Sequence, residues 1–220
     1  LPCANDVAES MVRDPRLAAL SFTGSAAVGW SLREKAGRKR VLLELGGNAA
    51  TLVAADADLA RAADSVTAAG YGYAGQVCIK TQRVFVQRAV YGAFREALLA
   101  RAGALAVGDP LDAKTVCGPL IDERSARRVE AWVAEAVAAG ATVALGGARE
   151  GNRVPPAVLE GAGVGMKVHD EEVFGPVVTL HPYETTDEAV AGVNASRYGL
   201  QAAVFSDDLR VIRAAFAGLD

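Results

Sequence analysis

Short aliphatic runs alternate along the chain with segments whose apolar residues recur at a helical spacing. Runs bounded by glycine, proline or polar residues predict strands at 17–22, 41–45, 84–87, 142–145, 156–159, 166–169, 177–180 and 201–205. The helical spacing predicts helices at 26–35, 59–69, 90–106, 123–139, 186–195 and 209–216. Because parallel strands need long crossover connections, this alternation predicts an α/β fold, with a mostly parallel sheet flanked by helices.

Two of the predicted helices carry capping signals at their starts. Asp122 precedes one helix, and Thr185 with Glu188 three residues later forms a capping box before another. The apolar stripes of two helices predict core positions at Leu59, Ala62, Ala63, Val66 and Ala69, and at Val129, Trp132, Val133, Ala136 and Val137.

The first strand, turn and helix form a candidate phosphate site. The strand 17–22 leads into Thr23-Gly24-Ser25, and the helix 26–35 follows directly. Gly24 and Gly29 would let a ligand approach the turn, and the free amides and positive dipole end of the helix favour an anion. Glycines around a helix start also serve as packing devices, so phosphate binding and close packing both fit this pattern.

Glu44 interrupts the second aliphatic run, 41–45, just before Gly46-Gly47-Asn48. A carboxylate among buried aliphatic residues is costly unless it is paired or used, and burial would raise its pKa towards the range of a general base. The alternative is that Glu44 turns out to solvent on an exposed face of the strand.

Cys78 lies in the stretch 70–83, after a helical segment rich in alanine and glycine and just before the run 84–87. Backbone on both sides can hold a thiol at such a junction, and the small residues before it let a ligand come close. Cys78 is therefore a candidate nucleophile. The alternative is a buried cysteine that acts as a small hydrophobic residue.

Glu171 and Glu172 precede Val173-Phe174-Gly175-Pro176, where glycine and proline indicate a turn at the mouth of a strand. A carboxylate there could accept hydrogen bonds from the two hydroxyls of a ribose, and the Phe174 ring could lie against a flat heterocycle. The alternative is a solvated acidic turn with a core phenylalanine.

Composition indicates a folded globular protein without a nucleic-acid or membrane partner. The 220 residues are 51% hydrophobic and 22% charged, and the net charge of −3 comes from interspersed charges without a basic stripe. Cys3, Cys78 and Cys117 are far apart and distant from His169 and His181, so neither disulfides nor a zinc site are expected. Reduced thiols favour a cytoplasmic location, Cys117 fits a structural role, and the histidines fit surface or strand-end positions.

Four motifs, in this order, resemble the successive signatures of the aldehyde dehydrogenase superfamily. They are Phe22-Thr-Gly-Ser25, Leu43-Glu-Leu-Gly-Gly47, Gly75-Gln-Val-Cys78 and Glu171-Glu-Val-Phe-Gly-Pro-Val177. The resemblance covers nearly the whole chain. It implies that residues 1–47 are the end of an NAD(P)-binding, Rossmann-like domain and that residues 48–220 form an incomplete catalytic domain.

The resemblance also assigns roles to single residues. Cys78 matches the nucleophile and Glu44 the general base of the family, whereas Cys3 and Cys117 match nothing functional. The matches to cofactor-binding positions are Gly24 and Ser25 at the pyrophosphate, with Gly29 in the same turn and helix, and Glu172 and Phe174 at the nicotinamide ribose and ring. The implied cofactor is NAD or NADP, no metal is implied, and the whole protein is expected to be a homodimer or homotetramer.

The implied reaction oxidises an aldehyde to a carboxylic acid through a thiohemiacetal and a thioester on Cys78. The amide of Cys78 would donate a hydrogen bond to the oxyanion, and Glu44 would activate water. One alternative is a non-catalytic protein that kept the fold. Another is an acylating relative that uses coenzyme A or phosphate, although such relatives tend to lack the glutamate at the position of Glu44.

Both ends of the chain suggest a piece of a longer protein. The chain starts without methionine and stops directly after a helical pattern. We expect the rest of the nucleotide-binding domain upstream and the closing strands and oligomerisation arm downstream, so the 220 residues alone should be inactive. The identity of the aldehyde and the choice between NAD and NADP depend on those other segments.

Overall fold

The computed structural model describes residues 5–220, with side chains from residue 8 onward. Cys3 lies outside the described residues. The chain divides after Gly46 into two compact units, here named the amino-terminal unit and, for Gly47–Asp220, the carboxyl-terminal unit. The domain roles implied by the resemblance stay a prediction. Within residues 5–220, every helix is too short or too polar to cross a lipid bilayer.

The amino-terminal unit alternates helices and strands: α1 (Asn5–Arg13), β1 (Ala19–Thr23), α2 (Ala26–Lys35) and β2 (Arg40–Glu44). β1 and β2 are parallel, with Ala19 opposite Arg40 and Thr23 opposite Glu44. Along both strands, exposed residues alternate with half-buried ones because successive side chains point to opposite faces. The prediction for α2 matches its observed bounds, whereas α1 was not predicted.

The carboxyl-terminal unit is built on a six-stranded sheet with strand order β5-β6-β7-β4-β3-β8. Its elements are β3 (Ala49–Val53), α3 (Leu59–Tyr71), β4 (Thr81–Gln87), α4 (Arg88–Gly103), α5 (Glu123–Ala138), β5 (Thr142–Leu145), β6 (Ala157–Glu160), α6 (Lys167–Asp170), β7 (Val177–Tyr183), α7 (Thr186–Asn194), β8 (Ala202–Phe205) and α8 (Leu209–Gly218). All pairs are parallel except β5 with β6. The predicted α/β fold is confirmed.

The centre of this sheet is fully covered. Every residue of β3 is buried, and β4 is buried up to Gln87. The run Ala49–Val53 was not predicted as a strand, because it is short and lacks the alternation of a half-exposed strand. Its buried position explains why it carries only small and aliphatic residues together with Thr51, whose hydroxyl lies 3.3 Å from that of Thr81.

Several local predictions are wrong. Ala69 and Val137 were placed in the core but are exposed, while Thr67 and Ala126 are buried instead. The stretch 166–169, predicted as extended, forms the start of the single-turn helix α6. In such short segments tertiary contacts outweigh local preference.

The two histidines were predicted at surface or strand-end positions, and this is wrong. His169 is buried, with Nδ1 2.7 Å from Oδ1 of Asp170. His181 lies inside β7, stacks on the Phe85 ring at 4.9 Å and meets the His169 ring edge-on at 5.1 Å. Burial lowers the pKa of His181 to about 3, so this ring is neutral in the folded protein.

Candidate active site

The loops that precede β3, β4, β7 and β8 meet at one edge of the six-stranded sheet. Because these strands are parallel and adjacent, their amino ends share that edge. The residues in these loops include Gly47 before β3, Cys78 before β4, Glu172 before β7 and Leu200 before β8. This edge of the carboxyl-terminal unit holds the candidate active site.

Cys78 sits in a tight turn closed by a 3.1 Å hydrogen bond from the Lys80 amide to the Val77 carbonyl. Its side chain is partly exposed and unpaired with another cysteine. Within the described residues, no acceptor takes a hydrogen bond from the Cys78 amide. A thiol and a free amide at the same residue are the two groups that acyl chemistry needs from a nucleophile.

The backbone just before this turn is left-handed at three consecutive residues. Tyr73, Ala74 and Gly75 have φ of 53°, 56° and 69°. Non-glycine residues in this region cost about 1–3 kcal/mol each, and such strain concentrates at functional sites. The Gln76 side chain helps to hold this segment, since its amide donates to the carbonyls of Tyr73 and Pro119 at 3.3 and 3.4 Å.

Gly75 also connects the cysteine turn to the turn that carries Phe174. A side chain at Gly75 would overlap the carbonyl oxygen of Gly175, so only glycine allows the two backbones to come this close. Phe174 itself has a positive φ of 47°, and its side chain is 38% exposed. The alternative of a core phenylalanine is therefore wrong, because the Phe174 ring lies partly at the surface.

Gly47 contacts both Glu172 and Cys78. The Glu172 carboxylate accepts a 3.0 Å hydrogen bond from the Gly47 amide. The α-carbon of Gly47 faces the Cys78 carbonyl so closely that a β-carbon there would overlap it. Burial raises the pKa of Glu172, while the Gly47 hydrogen bond and the nearby Lys80 act in the opposite direction.

Lys80, two residues after Cys78, is 5% exposed, and its ammonium group donates to the Val177 carbonyl at the start of β7. Burial lowers the pKa of Lys80 to about 7, and the charge of Glu172 opposes this shift. The sequence analysis did not identify Lys80. The signal was its position, two residues after the candidate nucleophile and directly before the buried strand β4.

Two further polar residues that the sequence analysis missed lie under the site. Arg83 of β4 donates to the Asn48 side chain and carbonyl, both at 3.2 Å, and to the carbonyls of Gly192 and Val193 at 2.9 and 3.0 Å. Asn48 in turn donates to the His169 carbonyl at 2.6 Å. Both residues are buried, and together they tie β3 and β4 to the last turn of α7.

In the amino-terminal unit, the candidate residues lie at the carboxyl ends of β1 and β2. The Gly24 amide donates to the Glu44 carbonyl at 3.0 Å. Ser25 is the N-cap residue of α2, yet its side chain makes no capping hydrogen bond, so its hydroxyl is not used by the helix. Glu44 is exposed, so of the two interpretations left open by the sequence the solvent-facing one is correct, and its role as a general base stays a prediction.

Gly29 is buried within α2. A side chain at Gly29 would press on the Leu45 side chain and the Phe22 ring, and its amide is used in a 3.0 Å hydrogen bond to the Ser25 carbonyl. The close-packing alternative therefore accounts for Gly29, and direct ligand contact stays a prediction. Glu44 and Cys78 belong to different units, so their pairing across one cavity also stays a prediction.

Cys117 lies apart from the candidate site and is fully buried. Its thiol points to the Tyr71 carbonyl at 3.4 Å, and burial raises its pKa to about 11. A thiol that stays protonated and inaccessible is a poor nucleophile. The structural role predicted for Cys117 agrees with this environment.

The cysteine turn, the left-handed segment before it and the half-buried Glu172 belong to a chain that is similar to known enzymes along nearly its whole length. The model of the aldehyde dehydrogenase family matches residues 2–220. The chain belongs to the aldehyde dehydrogenase family. It is 43% identical to the 3-sulfolactaldehyde dehydrogenase of Priestia aryabhattai, over 93% of this chain and 43% of that protein.

Solved structures of aldehyde dehydrogenases agree in fold. A structure of an NAD-dependent aldehyde dehydrogenase from Sinorhizobium meliloti matches with a TM-score of 0.94 and 38% identity, over 98% of this chain and 44% of that one. The NADP complex of a glyceraldehyde-3-phosphate dehydrogenase from Bacillus halodurans matches with a TM-score of 0.93 and 34% identity, over 97% and 44%. The chain thus spans less than half the length of these family members.

Proposed function

We propose that this chain carries the thiol-bearing part of an NAD- or NADP-dependent aldehyde dehydrogenase that oxidises an aldehyde to a carboxylic acid. The observation that supports it most is the junction at Gly47, which contacts the Cys78 carbonyl and donates to the Glu172 carboxylate. It brings the candidate nucleophile and a candidate ribose ligand to one edge of the sheet. The similar structures include an NAD-dependent enzyme and an NADP complex, so the choice between the two dinucleotides stays open.

In the proposed reaction, the Cys78 thiolate adds to the aldehyde carbon and forms a thiohemiacetal. The Cys78 amide, which no protein acceptor uses in the described residues, would donate to the resulting oxyanion. A nicotinamide dinucleotide, when bound, supplies the acceptor for the hydride that the aldehyde loses. Cys78 then holds the acyl group as a thioester, and Glu44, exposed to solvent, takes a proton from the water that releases the acid.

The residues present fit a dinucleotide. Glu172 uses one carboxylate oxygen on Gly47 and keeps its other lone pairs for hydroxyl donors. The partly exposed ring of Phe174 offers a flat apolar face. In the amino-terminal unit, the Ser25 hydroxyl, which makes no capping hydrogen bond, and the first-turn amides of α2 suit a phosphate. These residues would bind and orient the dinucleotide.

Turnover with two active-site variants tests the proposal. NAD⁺ and NADP⁺ are offered with a panel of aldehydes that includes 3-sulfolactaldehyde, both to the 220-residue chain and to a longer protein that contains it. In the longer protein, Cys78→Ser should lower turnover by about 10⁴-fold or more, and Glu44→Gln should accumulate the acyl-enzyme. Undiminished acid release by Glu44→Gln would disprove the base assignment. Full activity of the 220 residues alone would refute their expected inactivity.

Two further measurements separate the alternatives. In an enzyme, Cys78 should react with iodoacetamide well ahead of Cys3 and Cys117 and faster than free cysteine, whereas in a non-catalytic protein it should react no faster than free cysteine. Mass spectrometry of the alkylated chain gives the order. If the protein were an acylating enzyme, coenzyme A or phosphate would be required for product release; water alone suffices in our proposal.

A further inference from the structure

The side chain of Gln82 clasps the backbone on both sides of Glu172. Gln82 lies in β4 and is 1% exposed. Its amide nitrogen donates to the Glu171 carbonyl at 2.7 Å and to the Val168 carbonyl at 3.0 Å, and its oxygen accepts from the Val173 amide at 2.9 Å. Both amide hydrogens and the carbonyl oxygen are used, so the hydrogen-bonding geometry permits only one orientation of this buried group.

Tyr198 bonds the Glu172 amide, which Gln82 does not reach. Its hydroxyl accepts from the Glu172 amide at 3.4 Å and donates to the Glu171 carboxylate at 3.2 Å. Arg197 holds this pair, because its guanidinium bonds both the Glu171 carboxylate and the Tyr198 hydroxyl, the latter at 3.1 Å. The peptide groups on either side of Glu172 are therefore fixed from two directions.

By contrast, the Glu172 side chain itself has one hydrogen-bond partner, the Gly47 amide, among the described residues. A glutamate on a free loop would lose this contact easily, because burying the carboxylate costs hydration that a single hydrogen bond repays only partly. Holding the backbone in place removes the entropy cost of finding the buried position. The same strand that follows Cys78 thus also sets the place of Glu172.

We propose that Gln82 and Tyr198 are positioning residues that hold the Glu171–Val173 backbone so that the Glu172 carboxylate stays beside Gly47. That this place serves a dinucleotide ribose rests on the proposed function. The placement itself does not depend on it. Neither residue is expected to touch the aldehyde.

A pH titration of the Gly47 amide resonance by ¹⁵N NMR tests the placement in the 220-residue chain. In the unmodified chain, the resonance should titrate with a midpoint above 4.5, since burial raises the pKa of Glu172, and Glu172→Gln should abolish this titration. Tyr198→Phe and Gln82→Met should reduce its amplitude by about half or more, because the carboxylate spends less time beside Gly47. The midpoint should also move down towards 4.5 as the freed carboxylate regains water.

The chain offers a matched control. Tyr91 donates to Glu160 at 2.7 Å and Arg95 bonds the same carboxylate, so this second tyrosine, glutamate and arginine cluster repeats the first at another place. Tyr91→Phe should leave the Gly47 titration unchanged. If Tyr198→Phe also left it unchanged, the positioning role would be overturned, and this variant of a half-buried residue keeps the test open even if Gln82→Met fails to fold.

Steady-state kinetics of the longer protein separate the placement from the proposed function. With positioning lost, Tyr198→Phe should raise the KM for the dinucleotide by about 10-fold while the KM for the aldehyde stays within about twofold. An altered Gly47 titration with an unchanged dinucleotide KM would leave the placement intact and refute the ribose role. An absence of dinucleotide-dependent turnover in the unmodified protein would refute the proposed function alone.

Discussion

The two units present their candidate residues at opposite ends of parallel strands. In the amino-terminal unit, Gly24 and Glu44 lie at the carboxyl ends of β1 and β2. In the carboxyl-terminal unit, Cys78 and Glu172 lie before the amino ends of β4 and β7. Ligands of open parallel sheets usually bind outside the carboxyl ends of the strands. A site at the amino ends, as in the carboxyl-terminal unit, therefore needs additional contacts that hold its loops in place.

That support is a set of buried polar side chains. Asn48, Lys80, Gln82 and Arg83 are all buried in the carboxyl-terminal unit, and each bonds backbone groups of another segment. The candidate residues of the amino-terminal unit instead depend on the amides of a helix start and on exposed side chains. Chemistry on side chains needs a rigid surrounding, whereas anion binding by backbone amides needs only the helix itself.

The largest expected effect comes from a buried guanidinium. Arg83→Met should lower the free energy of unfolding of the carboxyl-terminal unit by about 3–5 kcal/mol, because the carbonyls of Asn48, Gly192 and Val193 lose their donors. Urea unfolding followed by Trp132 fluorescence in a Trp30→Phe background measures this unit alone. Arg127→Met, in an exposed pair with Glu123 of the same unit, is the control and should change nothing measurable.

Exchanging one glycine in each unit should have unequal effects. Gly75→Ala should destabilise the carboxyl-terminal unit by about 2–4 kcal/mol, since it combines a positive φ with a backbone clash at Gly175. Gly29→Ala meets only side-chain atoms of Leu45 and Phe22 and gains helix propensity, so the change should stay within about 1 kcal/mol. Trp132 and Trp30 fluorescence report the respective units. Equal losses would remove the contrast between the units.

Low pH should destabilise the carboxyl-terminal unit, which contains both histidines. Burial lowers the pKa of His181 from 6.5 to about 3, so the unfolded chain takes up a proton below pH 6.5 that the folded protein refuses. Stability is therefore lost as the pH falls from about 6.5 to about 3. His181→Phe should remove about 2 kcal/mol of this loss between pH 7 and pH 5. Parallel urea curves of both proteins at these pH values would show whether the slopes differ.

The smallest effect compares two helix starts. Thr185 accepts a hydrogen bond from the Glu188 amide at 3.2 Å, so Thr185→Ala should cost about 1 kcal/mol. Ser25 makes no capping bond, so Ser25→Ala should cost less than about 0.3 kcal/mol. Thermal unfolding measures both. A large loss for Ser25→Ala would mean that its hydroxyl serves the fold and not a ligand.

Local sequence signals predicted the elements that have capping residues or are bounded by glycine, proline or polar residues. The bounds of α2 and β5 match the prediction, and Asp122 and Thr185 cap helices as expected. β3 was missed because a fully buried strand has no alternation to reveal it. The burial of Glu44 was open from sequence, since an aliphatic neighbourhood does not tell which face of a strand is covered.

For the candidate site, the sequence by itself determined which residues are candidates for chemistry: the motif glycines, the Cys78 thiol and the acidic turn at Glu172. Only the tertiary structure decided that Gly47 and Glu172, 125 residues apart, are bonded, and that Gln82 holds the acidic turn. The physical reason is the strand order. Parallel pairing of β7, β4 and β3 brings their preceding loops to one edge, and such long-range pairing leaves no local pattern in the chain.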